Sequence, residues 1–217
     1  MARTTLTGRR AAVVGAGAVA AVASAVAFSP GADAATLTLK HTGTITTHLA
    51  SQNQDIVFQT SEVTKIDANT FAVSSTITPS DGSAWFKPVG LNLAKFWISI
   101  QPTGPATGAV TFNPDGSGTG TLTINQPLNV QVKQVLPFGW NVNLVGTNCK
   151  TATTTNLQLT APIGLDEDGA TDIFGPLTLK GTLNIPKFTN CNGLDGLVSS
   201  IASGPGNDVT VALGAAA

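Results

Sequence analysis

"TLTLKHTGTITTHL", residues 36–49, alternates without a break. Leu37, Leu39, His41, Gly43, Ile45, Thr47 and Leu49 share one face, while threonines and Lys40 take the other. Successive side chains of a strand point to opposite faces, so the stretch reads as a half-buried β-strand. The pattern continues outward. "DIVFQTSEVTK" (55–65) and "NTFAVSSTIT" (69–78) are rich in β-branched residues and separate around "IDAN". "LNLAKFWISI" (91–100), "GAVTFN" (108–113), "GTGTLTI" (118–124), "LNVQVKQVL" (128–136), "WNVNLVG" (140–146), "TTTNLQLTA" (153–161), "PLTLKGTLNI" (176–185) and "NDVTVAL" (207–213) extend the series. Gly, Pro, Asn and Asp punctuate it, as in "TPSDGS", "NPDGSG" and "SGPGN". Many short strands at close spacing point to an antiparallel sandwich or barrel. The strand count and turn spacing favour an all-β antiparallel β-sandwich, Ig-like or jelly-roll-like.

One segment departs from period two. In 193–203, Leu194, Leu197, Val198 and Ile201 fall at helical spacing, with Asn192 placed to cap the start and Gly204 the end. A short helix is expected there, covering an edge or an end of the sheet.

The N-terminus reads differently again. Arg3, Arg9 and Arg10 precede an apolar run of Ala, Gly and Val, and Ala32-Asp33-Ala34 fits small-residue cleavage. Residues 1–34 are therefore read as a signal peptide of the Sec or Tat type, with 35–217 as a single mature domain and no span left after cleavage. Its removal takes away every arginine and Asp33, leaving eight lysines against eleven acids. Such a chain lacks the basic footprint that nucleic acid requires. Cys149 and Cys191 are the only cysteines, and an even count in an exported chain points to a disulfide.

The leader, "VNLVGTNCKTATTTNLQLTAP" (142–162), "GTLNIPKFTNC" (181–191) and "SGPGNDVTVALG" (203–214) together resemble a group of uncharacterised exported actinobacterial proteins of unknown function. That resemblance implies a β-sandwich with a long-spaced cysteine pair in an extracellular or envelope location, and it brings no catalytic residue.

Chemistry is sparse. There is no G-x-S-x-G elbow, and Ser117 in "DGSGTG" reads as a turn. His41 is in phase with the apolar face and His48 lies on the other. Glu62 is in phase with Ile56 and Phe58, so it is a candidate acid for a hydrolase, but a position near a strand end and the want of a second acid weaken it. Asp166, Glu167, Asp168 and Asp172 crowd one turn, and three of them, Asp166, Asp168 and Asp172, could hold calcium. The spacing is not that of an EF-hand, and a solvated loop explains the run as well. The aromatics pair up: Trp85 with Phe86, Phe96 with Trp97, Phe138 with Trp140. Trp97, inside a dense strand, is expected in the core, and core filling is also the favoured place for Trp85 and Trp140; yet these two sit by Pro and Gly as exposed loop tips would, and Trp85, Phe86, Phe138 and Trp140 are the candidate ligand contacts. The absence of tyrosine speaks against a membrane barrel with aromatic girdles. The expectation is an exported, non-enzymatic surface or envelope protein without a cofactor, binding a lipid, a glycan or a cell-surface protein. The alternatives are a secreted hydrolase using Glu62 or the 166–172 acids, and an adhesion or coat module stabilised by calcium.

Overall fold

The computed structural model describes residues 36–87, 90–164 and 174–217. The leader and the acids of 166–172 fall outside these. The strands are β1 (Thr36–Leu49), β2 (Gln54–Asp67), β3 (Ala72–Pro79), β4 (Asp81–Phe86), β5 (Ala94–Pro102), β6 (Ala106–Phe112), β7 (Gly120–Pro137), β8 (Lys150–Thr151), β9 (Thr155–Ile163), β10 (Leu177–Ile185), β11 (Phe188–Thr189) and β12 (Gly204–Leu213). All their pairings are antiparallel.

The sheet closes on itself. Neighbours run β7-β6-β3-β2-β1-β12-β10-β9, and β9 pairs back onto β7, which makes a ring of eight. Several staves are interrupted: β3 and β4 part at Ser80, β5 and β6 at 103–105, β8 and β9 at 152–154, β10 and β11 at 186–187. Counted as staves, each strand pairs with the next in the chain, and the last, β12, pairs with the first. This is an up-and-down barrel. A sandwich needs two facing sheets with free edges; here β12 against β1 removes the edges by closure.

The alternation seen in 36–49 runs around the whole ring. Leu39, Ile45, Ile56, Phe58, Ile66, Leu122, Leu128, Leu159, Leu179 and Val211 are buried inside. The opposite face of β1 and β2 carries Thr38, Lys40, Thr42, Gln59, Ser61 and Lys65. Apolar inside and hydroxylated outside is the reverse of a barrel that spans a bilayer. Among the described residues no helix is long and apolar enough to cross a membrane.

Two local readings change. Residues 128–136 and 118–124 join in one strand, β7, through Pro127. Proline fits because β7 meets the gap between β5 and β6 there: Thr103 donates to the Pro127 carbonyl, and the Gln126 amide bridges Gly104 and Pro127. Residues 140–146 are loop rather than strand. The Asn143 side chain takes the place of a ladder partner, accepting from Val135 and Val145 N–H and donating to the Lys133 and Gly146 carbonyls.

Helix α1 (Asp195–Ala202) plugs one end of the barrel. Val198, Ile201 and Ala202 are buried, and Ala202 lines an internal space with Thr47, Leu49, Ile56 and Phe58. Leu197, expected on the inner stripe, is 53% exposed. Asn192 does not cap the helix; the Asp195 carboxylate instead accepts the Cys191 N–H, and Asn192 donates to the Leu144 carbonyl. Cys149, just before β8, and Cys191, just after β11, form the disulfide, and both are fully buried. It ties the loop after β7 to the loop before α1.

Candidate functional site

The exposed large apolar side chains gather mainly at the two ends of the barrel. At the plugged end are Leu91, Phe138, Trp140 and Val142; at the other are Phe71, Phe112 and Phe174.

The plugged-end group is built on a tight turn. Pro137-Phe138-Gly139-Trp140 closes with Trp140 N–H donating to the Pro137 carbonyl at 2.8 Å. Phe138 at φ 51° and Gly139 at φ 77° are both left-handed, the geometry of a type I′ hairpin turn. A bulky side chain at positive φ is strained. A side chain at Gly139 would meet the Trp85 ring, 3.2 Å from where its Cβ would stand. Phe138 and Trp140 stack obliquely with ring centroids 5.8 Å apart, and they are 61% and 67% exposed. Trp85 is half-buried beneath them. Of the four aromatics singled out from sequence, Phe138 and Trp140 thus form an exposed knuckle and Trp85 supports it. Phe86 does not join: it packs edge-on against buried Phe96. Trp97 is not in the core. Phe96 and Ile98 point inward, so Trp97 faces out, with the Lys95 ammonium 4.9 Å from its ring centre.

A second group lies inside the barrel. Glu62 is 4% exposed and sits in the middle of β2, not at a lapsing strand end. Its Oε1 accepts hydrogen bonds from the hydroxyls of Ser75 and Thr64, which are themselves linked at 3.1 Å. His41 is its register partner across β1–β2 and is equally buried; its Nδ1 lies 2.9 Å from the Gly214 carbonyl. Phase alone placed His41 and Glu62 on the inner face; their pairing needed the register. Among the described residues Glu62 is the only carboxylate lining its cavity, and no second acid faces it there as the paired acids of a glycosidase would. Glu62→Leu, which takes away the acceptor of the buried Ser75 hydroxyl while Thr64 can still donate to Ser75, is expected to cost about 2 kcal/mol, read by urea titration.

The remaining candidates scatter. His48 faces out and pairs with Asp55 at 2.7 Å. Ser117 lies in the exposed β6–β7 turn, where it holds the Asp115 carboxyl below its ordinary range, chiefly through its hydroxyl and then its N–H. The Asp67 carboxyl is lowered likewise by the N–H groups of Thr70 and Asn69. Among the described residues no three His, Cys, Asp or Glu side chains are grouped to hold a metal. The proposed calcium ligands Asp166, Asp168 and Asp172 lie outside the described residues.

The fold and its sites define a closed up-and-down barrel with an aromatic knuckle at its plugged end. Set against protein-family models, curated proteins and solved structures, the sequence gives no match.

Proposed function

We propose that this is an exported, non-enzymatic binding module that docks onto an anionic lipid surface of the cell envelope through its plugged end. The observation that carries the reading is the strained turn presenting Phe138 and Trp140 to solvent. The amphipathic indole of Trp140 suits the boundary between lipid tails and headgroups, and the Phe138 ring its apolar side. The lysines nearest the knuckle favour an anionic surface. Exposed Lys87 follows Phe86, and Lys95 lies opposite Trp85 in the β4–β5 pairing. The buried disulfide fits an oxidising compartment outside the cytoplasm. The resemblance to exported actinobacterial proteins agrees with that compartment.

Sedimentation with vesicles tests this. The protein should pellet with vesicles rich in anionic lipid and less with zwitterionic ones. Trp140→Ala should weaken binding by about tenfold, the loss of one well-placed aromatic anchor. Phe138→Gly should weaken it while barely moving the melting temperature, because relief of left-handed strain offsets the added freedom of the unfolded chain. Binding to insoluble cell-wall polysaccharide in place of vesicles would assign the knuckle to a glycan. Pelleting that ignores both substitutions would remove the knuckle from the site.

A further inference from the structure

The end of the barrel opposite α1 holds an apolar cavity of about 190 Å³. Leu37, Ile66, Phe71, Phe112, Ile163 and Phe174 are among its walls. Phe71 and Phe112 meet edge to face at 5.2 Å, and Phe71, like Phe138 at the other end, holds a left-handed backbone, with φ at 54°. The C-terminal tail runs on beside β1 and ties to the rim, Ala216 N–H donating to the Phe174 carbonyl. A dry cavity of about 150 Å³ lined by Leu, Ile and Phe is enough to bind benzene. The mouths of barrels are also recurrent ligand sites.

Directly below, sharing Ile66 and Val110 as walls, is a second space of about 20 Å³. That is room for about one oxygen-sized group. His41 and Glu62 line it, both more than nine-tenths buried. Their bonds elsewhere use His41 Nδ1 and Glu62 Oε1. A carbonyl only accepts, so Nδ1 carries the proton toward Gly214, and in the neutral imidazole Nε2 is an acceptor. Nε2 and Oε2 have no hydrogen-bond partner among the described residues. A hydroxyl turned into this oxygen-sized space would donate its one proton to one of these acceptors.

We propose that this end of the barrel binds a small uncharged aromatic or alicyclic alcohol, its ring among Phe71, Phe112 and Phe174 and its hydroxyl turned inward toward His41 and Glu62. This site is independent of the aromatic knuckle and lies at the opposite end of the barrel.

The probes are 4-methylphenol and toluene, which differ by one hydroxyl, added to the purified protein and followed by NMR. The expected result is saturable shifts at Leu37, Ile66, Phe71 and Phe174, with the Trp140 indole unmoved. The phenol should bind about tenfold more tightly than toluene, because the ring alone leaves the buried acceptors unpaired. Val110→Trp, which fills the mouth, should abolish both. If that variant does not fold, Ala68→Trp at the rim serves the same purpose, and a folded filled variant that still binds would overturn the site. No saturable shift with either probe would also overturn it. Equal affinities for phenol and toluene would overturn the inward hydroxyl.

Discussion

Replacing both cysteines, Cys149→Ala with Cys191→Ala, should lower stability by about 4 kcal/mol and the melting temperature by about 10 °C. The cross-link joins residues 42 apart in sequence, and constraint of that loop in the unfolded chain is the main source of the effect. The structure adds a local consequence. Cys149 ends the loop that begins at the Phe138 turn, and Cys191 sits at the start of the α1 segment, its N–H held by Asp195. Without the bond, exchange protection should fall first at the plugged end, around Val145, Leu144 and α1, while β1 and β2 keep theirs. Calorimetry of the oxidised protein, the reduced protein and the double variant measures the total, and hydrogen exchange places it. A double variant melting within about 2 °C of the parent would mean that the native bond adds almost nothing, against the usual 2–5 kcal/mol for exported domains.

The strands were legible because one pattern repeats: every second residue of 36–49, 56–66 and 120–132 points to one side, and most of these are apolar. The disulfide was legible by counting. Closure was harder, because period two reports that a strand has a buried face and not whether that face looks onto a second sheet or across a ring. Pro127 compounded this by dividing a single 18-residue strand into two apparent ones. Asn143 misled in the opposite sense: a loop whose side chain mimics the backbone kept a strand-like composition.

The sites divide in the same way. Proline and glycine beside Phe138 and Trp140 were a local signal of an exposed turn, but the size of the indole favoured the core, and Trp140 is exposed. Phe86 and Trp97 depended on which face of β4 and β5 turns inward, and the β-bulge between Trp97 and Ile98 makes that phase hard to carry along the strand. The mouth could not be found locally. Leu37, Phe71, Phe112 and Phe174 come from four separate segments, and closure alone brings them together.

Gly43→Ala is expected to cost about 3 kcal/mol, at the upper end for a single added methyl group. The position is in phase with the inward residues of β1 and lies on the seam with β12, opposite Leu213. A Cβ there would stand 2.0 Å from the Ala212 carbonyl oxygen. The obstacle is backbone, so no rotamer change relieves it, and the first and last strands must move apart. Gly108 on the β6–β7 pairing and Gly181 on the β9–β10 pairing meet the same obstacle, at 1.9 Å from Thr123 and 2.0 Å from Gln158. Glycines at bends of this kind let a coiled sheet close. The control is Gly196→Ala in α1, where a Cβ meets nothing within 4 Å; it should leave the protein equally stable or slightly more so. Denaturant titration of the two variants separates a seam effect from a general loss of glycine. The comparison also bears on architecture. In an open sandwich β1 and β12 would be free edges, and a methyl group at residue 43 would be tolerated. A Gly43→Ala protein as stable as the parent would therefore count against the closed ring, and with it against the mouth that closure creates.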